Sequence, residues 1–106
     1  SNPTSNSTNP TNQYKKNLIN DELHIDSYVN NLYSKREEAA NSLLSKRMHD
    51  TLSQEVNISI EDCENFVRPL TNTLQTYIIG KVPKDCVVKA VETLLCRNIL
   101  EYIESN

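Results

Sequence analysis

Residues 82–103 are the most apolar stretch of this 106-residue chain, and they constrain its fold more than any other segment. Val87, Val91, Leu94 and Leu95 follow the i, i+4, i+7, i+8 spacing of one helix face. Val88, Ile99, Tyr102 and Ile103 widen that stripe to half the cylinder, so the helix needs a core to press into. Pro83 suits a first turn, where no amide proton is missed, and Asp85 stands behind it at the positive end of the dipole. Gly80, the only glycine, ends whatever precedes it. Val91 and Leu94 are expected at the buried centre of the stripe. Cys96 and Leu100 fall on the outer side and are the expected partner-binding residues.

A helix of this kind needs other helices around it. One glycine, five tyrosines and one phenylalanine are too few for the turns and packing aromatics of a β sandwich or barrel. Residues 1–13 contain only Ser, Asn, Thr, Pro and Gln, which cannot repay the entropy of ordering. The expectation is a disordered polar tail over 1–13 and a single small helical domain over 14–106. Its fold class is all-α, a small bundle of three to four helices.

Along the chain, Leu18 and Ile19 are placed to dock on the core, and Asp21 or Asp26 to cap a first helix. Ile25, Val29 and Leu32 mark an inner face with Tyr28 beside it, continued by Ala39, Ala40, Leu43, Leu44, Met48 and Leu52. The stripe is interrupted at Lys35-Arg36, and Ser34-Lys35-Arg36-Glu37 has the form of a capping box. Residues 22–54 therefore read as one long helix or two with a break near Ser34, and the single helix is preferred. Ser59 followed by Glu61 and Asp62 is an N-cap with an acidic first turn. The helix it opens runs through Ile78, with Pro69 expected to kink or split it near Phe66-Val67. The short connection around Gly80 makes this helix a neighbour of the last one.

Charge and chemistry exclude several functions. Net charge is −3; residues 14–58 carry six basic and seven acidic groups, and residues 59–106 carry five and seven. Neither half has a nucleic-acid footprint. Cys63, Cys86 and Cys96 are an odd set without CxxC spacing, which fits reduced thiols in an intracellular protein, cytoplasmic or nuclear. Asn6-Ser7-Thr8 and Asn57-Ile58-Ser59 are glycosylation sequons, triplets that also arise by chance in a chain rich in Asn and Ser. No apolar run reaches the roughly 20 residues of a membrane span. The chain opens without Met and reads as a fragment of something longer. His24 and His49 lack a ligand partner at i+3 or i+4 and read as surface residues. Cys86 sits where a helix dipole can favour thiolate, but Val87 and Val88 beside it point to packing. No phosphate loop, nucleophile elbow or paired catalytic carboxylates are present, so neither an enzyme nor a cofactor is expected.

Pro83 followed by Val87-x-Lys89-x-Val91-Glu92-x-Leu94-Leu95-x-Arg97-x-Ile99-Leu100-Glu101 resembles the last helix of the winged-helix domain that ends cullins, the scaffolds of multi-subunit ubiquitin ligases. Glu38-Ala39-Ala40 with Leu44-x-Lys46 is similar to that domain's first helix, whose lysine accepts a ubiquitin-like modifier. The resemblance covers about sixty residues. It implies a winged-helix-like arrangement, Lys46 as a modification site, and a closing strand from Ile103-Glu104 onward.

The residues themselves lead to a non-catalytic protein–protein interaction domain with another protein as its partner. A ubiquitin-ligase scaffold domain is the alternative that follows from the resemblance. A helical domain with a lipid or small-ligand pocket is a third, since pockets leave little trace in sequence. DNA binding is disfavoured: the last helix sets Lys84, Lys89 and Arg97 against Asp85, Glu92, Glu101 and Glu104.

Overall fold

The computed structural model describes Lys15 and residues 18–105 of the chain. The tail expected over 1–13 lies outside the described residues. A π-helical turn, Leu18–Glu22, leads into α1 (Ile25–Tyr33), α2 (Glu37–Leu52), α3 (Ile60–Ile79) and α4 (Lys84–Ser105). Among the described residues there is no strand, and Ile103 and Glu104 belong to α4. The helices alternate in direction. The Tyr33 hydroxyl at the end of α1 donates to the Val82 carbonyl just before α4 (3.2 Å), and the Tyr102 hydroxyl at the end of α4 donates to the Asn57 carbonyl just before α3 (3.0 Å). α1 packs on both α2 and α4, and α3 on both α2 and α4, so the four close into a ring around one core.

α4 enters that core through Val87, Val91, Leu95 and Ile99, a ridge with one residue per turn. Each such side chain, fully removed from water, contributes about 1.5–3 kcal/mol. Leu94, expected at the centre, is only half-buried. At 100° per residue it lies roughly 80° from the middle of the ridge, on the flank. Val91 is buried as expected. Pro83 occupies the N-cap instead of the first turn, where its carbonyl accepts from the Val87 amide (3.1 Å).

The expected single helix over 22–54 is two helices. α1 ends in a Schellman turn: the Lys35 amide donates to Leu32 and the Arg36 amide to Asn31, at 3.1 and 2.8 Å. Ser34 is thus a C-cap and makes no capping box, and α2 starts behind Arg36 without a side-chain cap. The missing apolar residue at Lys35-Arg36 marked the break, because a helix without an inner residue there gains nothing by continuing. Neither Asp21 nor Asp26 caps α1. His24 holds that position with φ 55° and no side-chain cap, and its left-handed backbone lets Leu23 and Ile25 both reach the core. Leu18 is fully buried beside them.

α3 begins as its sequence indicates. The Asp62 amide donates to Ser59 Oγ (3.0 Å) and the Ser59 amide to Asp62 Oδ2 (3.5 Å), a complete capping box. Pro69 does not split the helix, which runs unbroken through it; Pro69 sits on the exposed side, where the carbonyl it leaves unpaired can meet water. α3 ends in a second Schellman turn, with Lys81 donating to Ile78 and Val82 to Tyr77, both at 3.0 Å. The left-handed residue is Lys81, at φ 62°; Gly80 is an ordinary C-cap at φ −77°.

α2 departs most from its apolar pattern. Ala39 is exposed and Leu43 half-buried, while Asn41 and Ser45 are buried with Ala40, Leu44, Met48 and Leu52. Tyr28 Oη donates to Thr71 Oγ1 (2.6 Å), which in turn donates to Asn41 Oδ1 (2.5 Å), linking α1, α3 and α2 inside the core.

Candidate functional site

Because α4 turns its four-residue ridge inward, its opposite side is left for other contacts. That side carries Cys96 and Leu100, one turn apart and both half-buried, with Thr93 above them. They line a surface groove of about 570 Å³ whose rim holds Lys15, Lys89 and Arg97 together with Glu92, Glu101 and Glu104. The two expected partner-binding residues therefore share one groove. Lys15, brought in from the segment before the π-helical turn, had no signal in the sequence, since its neighbours there are polar.

The Cys96 thiol is pushed up from its ordinary range, chiefly by burial and further by Glu92, with Lys15 opposing. A thiol held protonated is a small apolar surface and a poor nucleophile. Cys63, buried under the start of α3, is pushed up to about 11 by burial and by the adjacent Asp62 and Glu64. Cys86 is exposed in the first turn of α4, so the packing expected from its neighbours falls to Val87 alone among buried residues. His24 and His49 lie on different helices' ends, and among the described residues no group of three His, Cys, Asp or Glu side chains is placed to hold a metal.

Two smaller clefts flank Tyr102, of about 400 Å³ toward Phe66 and Pro69 and about 340 Å³ toward Val56 and Asn57. Tyr102 is the wall between them. Its ring meets Phe66 edge-on, centroids 5.5 Å apart, and its hydroxyl reaches Asp62 Oδ2 (3.3 Å) as well as Asn57. These contacts seal the end of the bundle and fix the C-terminal half of α4, on which Leu100 rides.

Lys46 stands apart from this face. It is exposed on α2, which packs on α1 and α3, with Leu44 buried and Leu43 half-buried behind it. No described helix is long and apolar enough to cross a membrane. Comparison with known proteins gives no match: no family model matches the chain, no curated protein matches it, and no solved structure matches it.

Proposed function

We propose that this chain is a non-catalytic interaction module of an intracellular protein complex, and that the outer face of α4 receives an amphipathic helix of a partner protein. The observation that carries this reading is the groove itself: Cys96 and Leu100 form an apolar floor, and charges of both signs ring it. Lys89 lies toward the start of α4 and Glu101 and Glu104 toward its end. A helix laid antiparallel with the same order of charges places acid against Lys89 and base against Glu101, which selects orientation more than it adds affinity. Leu100→Asp tests it. The variant should melt like the wild type, because Leu100 is off the buried ridge, and should lose a partner that the wild type captures from native lysate and that binds again as a purified protein. Retention of that partner by Leu100→Asp would move the interface elsewhere.

A cullin-like scaffold domain is the second reading, favoured by one observation: Lys46 is exposed while Leu44 behind it is buried, the arrangement a modification acceptor requires. The winged-helix arrangement goes with this reading, and the helical state of Ile103 and Glu104, where that family's strand begins, speaks against it. Reconstitution with the modifier's conjugating enzymes should label the wild type and spare Lys46→Arg. Labelling that persists in Lys46→Arg rejects the residue.

A further inference from the structure

The fold gathers at one end of the bundle cations that the sequence keeps far apart. Lys35 and Arg36 form the corner between α1 and α2, and Lys81 and Lys84 the corner between α3 and α4. The Tyr33–Val82 hydrogen bond joins the two corners, and Lys84 Nζ donates to Asn30 Oδ1 from one to the other. The same end exposes two of the three large apolar side chains that reach solvent among the described residues, Tyr33 at 39% and Ile79 at 77%.

Two further observations concern this end, which holds two of the three left-handed non-glycine residues among the described residues, His24 being the third. Lys35 and Lys81 occupy left-handed backbone, φ 60° and 62°, at the C′ positions of two Schellman turns where glycine is the usual residue. Gly80 is one residue too early to serve. A side chain kept twice against a backbone preference marks a place where the side chain is needed. Among the described residues, Lys35, Arg36 and Lys81 make no side-chain hydrogen bond or ion pair, so the need is not internal. The carboxylates of this end are Glu37, Glu38 and Asp85; Glu38 pairs with Arg68 (3.4 Å), and Glu37 and Asp85 keep their charge beside Lys35, Arg36, Lys81 and Lys84, so the end is net positive by about two charges. The acids of the opposite end, Glu61, Asp62 and Glu64 on α3 with Glu101 and Glu104 on α4, lie far down a body 45 Å long. That separation exceeds the Debye length of about 8–10 Å, so they do not cancel the basic end.

We propose that this end of the bundle docks onto an anionic phospholipid surface, with Ile79 and Tyr33 entering the interfacial layer and the lysines and Arg36 meeting lipid phosphates. The clefts described above all lie along α4 and none at these two corners, so a peptide seated in a groove has less to hold it here than a lipid surface does. Exposed aliphatic and aromatic side chains set among basic residues are the pairing that membrane interfaces select.

The test is sedimentation of the full chain with phosphatidylcholine vesicles, with and without phosphatidylserine. Binding is expected only with phosphatidylserine, and should weaken as salt rises. The double variant Lys35→Gly/Lys81→Gly relieves both left-handed lysines, so it should melt at or above the wild-type temperature while binding roughly tenfold or more weaker, given the attraction each basic residue feels near such a surface. Ile79→Ser should weaken binding while leaving its salt dependence unchanged. Wild type that stays in the supernatant with phosphatidylserine vesicles overturns the proposal. So does retention on poly-glutamate without vesicle binding, which assigns the end to an acidic protein segment, or undiminished vesicle binding by both variants.

Discussion

α4 enters the core with Val87, Val91, Leu95 and Ile99, one aliphatic side chain per turn, whereas α2 brings Asn41 and Ser45 inward among Ala40, Leu44, Met48 and Leu52. The first face supplies transfer free energy and little else. Its four residues resemble one another, so a slip of one turn against α1 or α3 changes the packing only by methyl groups. The second face cannot slip. Tyr28, Thr71 and Asn41 form a chain of two hydrogen bonds at 2.5–2.6 Å with the Thr71 hydroxyl in the middle, and a shift of one turn leaves all three buried without a partner. The comparison separates two tasks within one small core: α4 makes the bundle stable, and α2 sets how its helices register.

The largest effect expected on this division is on the aliphatic side. Leu95→Ala removes a fully buried side chain from the ridge and should cost about 2–5 kcal/mol, lowering the melting temperature by on the order of 10 °C or more. Leu94→Ala, on the half-buried flank, should cost roughly 1–2 kcal/mol. Thermal melts of the two variants give the ordering directly, and an equal loss from both would mean that α4 is docked around a different face.

That ordering was only half legible in the sequence. The spacing of Val87, Val91 and Leu95 announces a buried helix, but an amphipathic stripe of half a cylinder does not say which flank its neighbours leave open. α4 has two neighbours, α1 and α3, and the ridge lies where they meet. Ser59 and Asp62 were readable because a capping box is local chemistry, complete within four residues. The break at Lys35 was visible as a missing apolar residue, yet a Schellman turn with lysine at C′ has no sequence signature of its own. The burial of Asn41 had no signal in the sequence, because its partner Thr71 lies thirty residues away on another helix. The groove at Cys96 and Leu100 could be read as the back of the stripe; its rim residue Lys15 could not.

The next effect tests the polar side. Thr71→Val keeps the shape but removes the acceptor of Tyr28 and the donor to Asn41, which should cost about 1–3 kcal/mol. The network also shapes the alkaline limit of stability. Burial pushes the Tyr28 hydroxyl up to about 12 from its ordinary 10, with the Thr71 hydrogen bond opposing. A raised folded-state value means that the neutral phenol is favoured by folding, so this stability is intact below pH 10 and is lost as pH rises from 10 toward 12. Cys63, raised to about 11 from 9, begins the same decline earlier, from pH 9. Denaturant melts from pH 8 to 11 should therefore show a falling midpoint. In Tyr28→Phe the fall above pH 10 should become shallower, while the fall that Cys63 sets from pH 9 to 11 remains. A wild-type midpoint flat across that range would place both groups in contact with water.

The smallest expected effect has the opposite sign. Ser45 lies one turn beyond Asn41 on the inner face of α2, is 1% exposed, and its Oγ is buried without a hydrogen-bond partner. A hydroxyl in that position has lost its water and gained nothing in exchange. Serine is also a poorer helix residue than alanine, by a few tenths of a kcal/mol. Ser45→Ala removes both penalties and opens a space smaller than a methyl group, so it should stabilise the protein by about 0.5–1 kcal/mol. Thr71→Val on α3 and Ser45→Ala on α2 thus probe the polar side of the core from two packed helices with opposite outcomes: the first breaks a satisfied chain and the second clears an unsatisfied group. Denaturant melts with parallel slopes are sensitive enough to see both. If Ser45→Ala instead loses stability, its hydroxyl belongs to the network after all, and the polar face that sets the register of α2 extends a full turn further than Tyr28, Thr71 and Asn41.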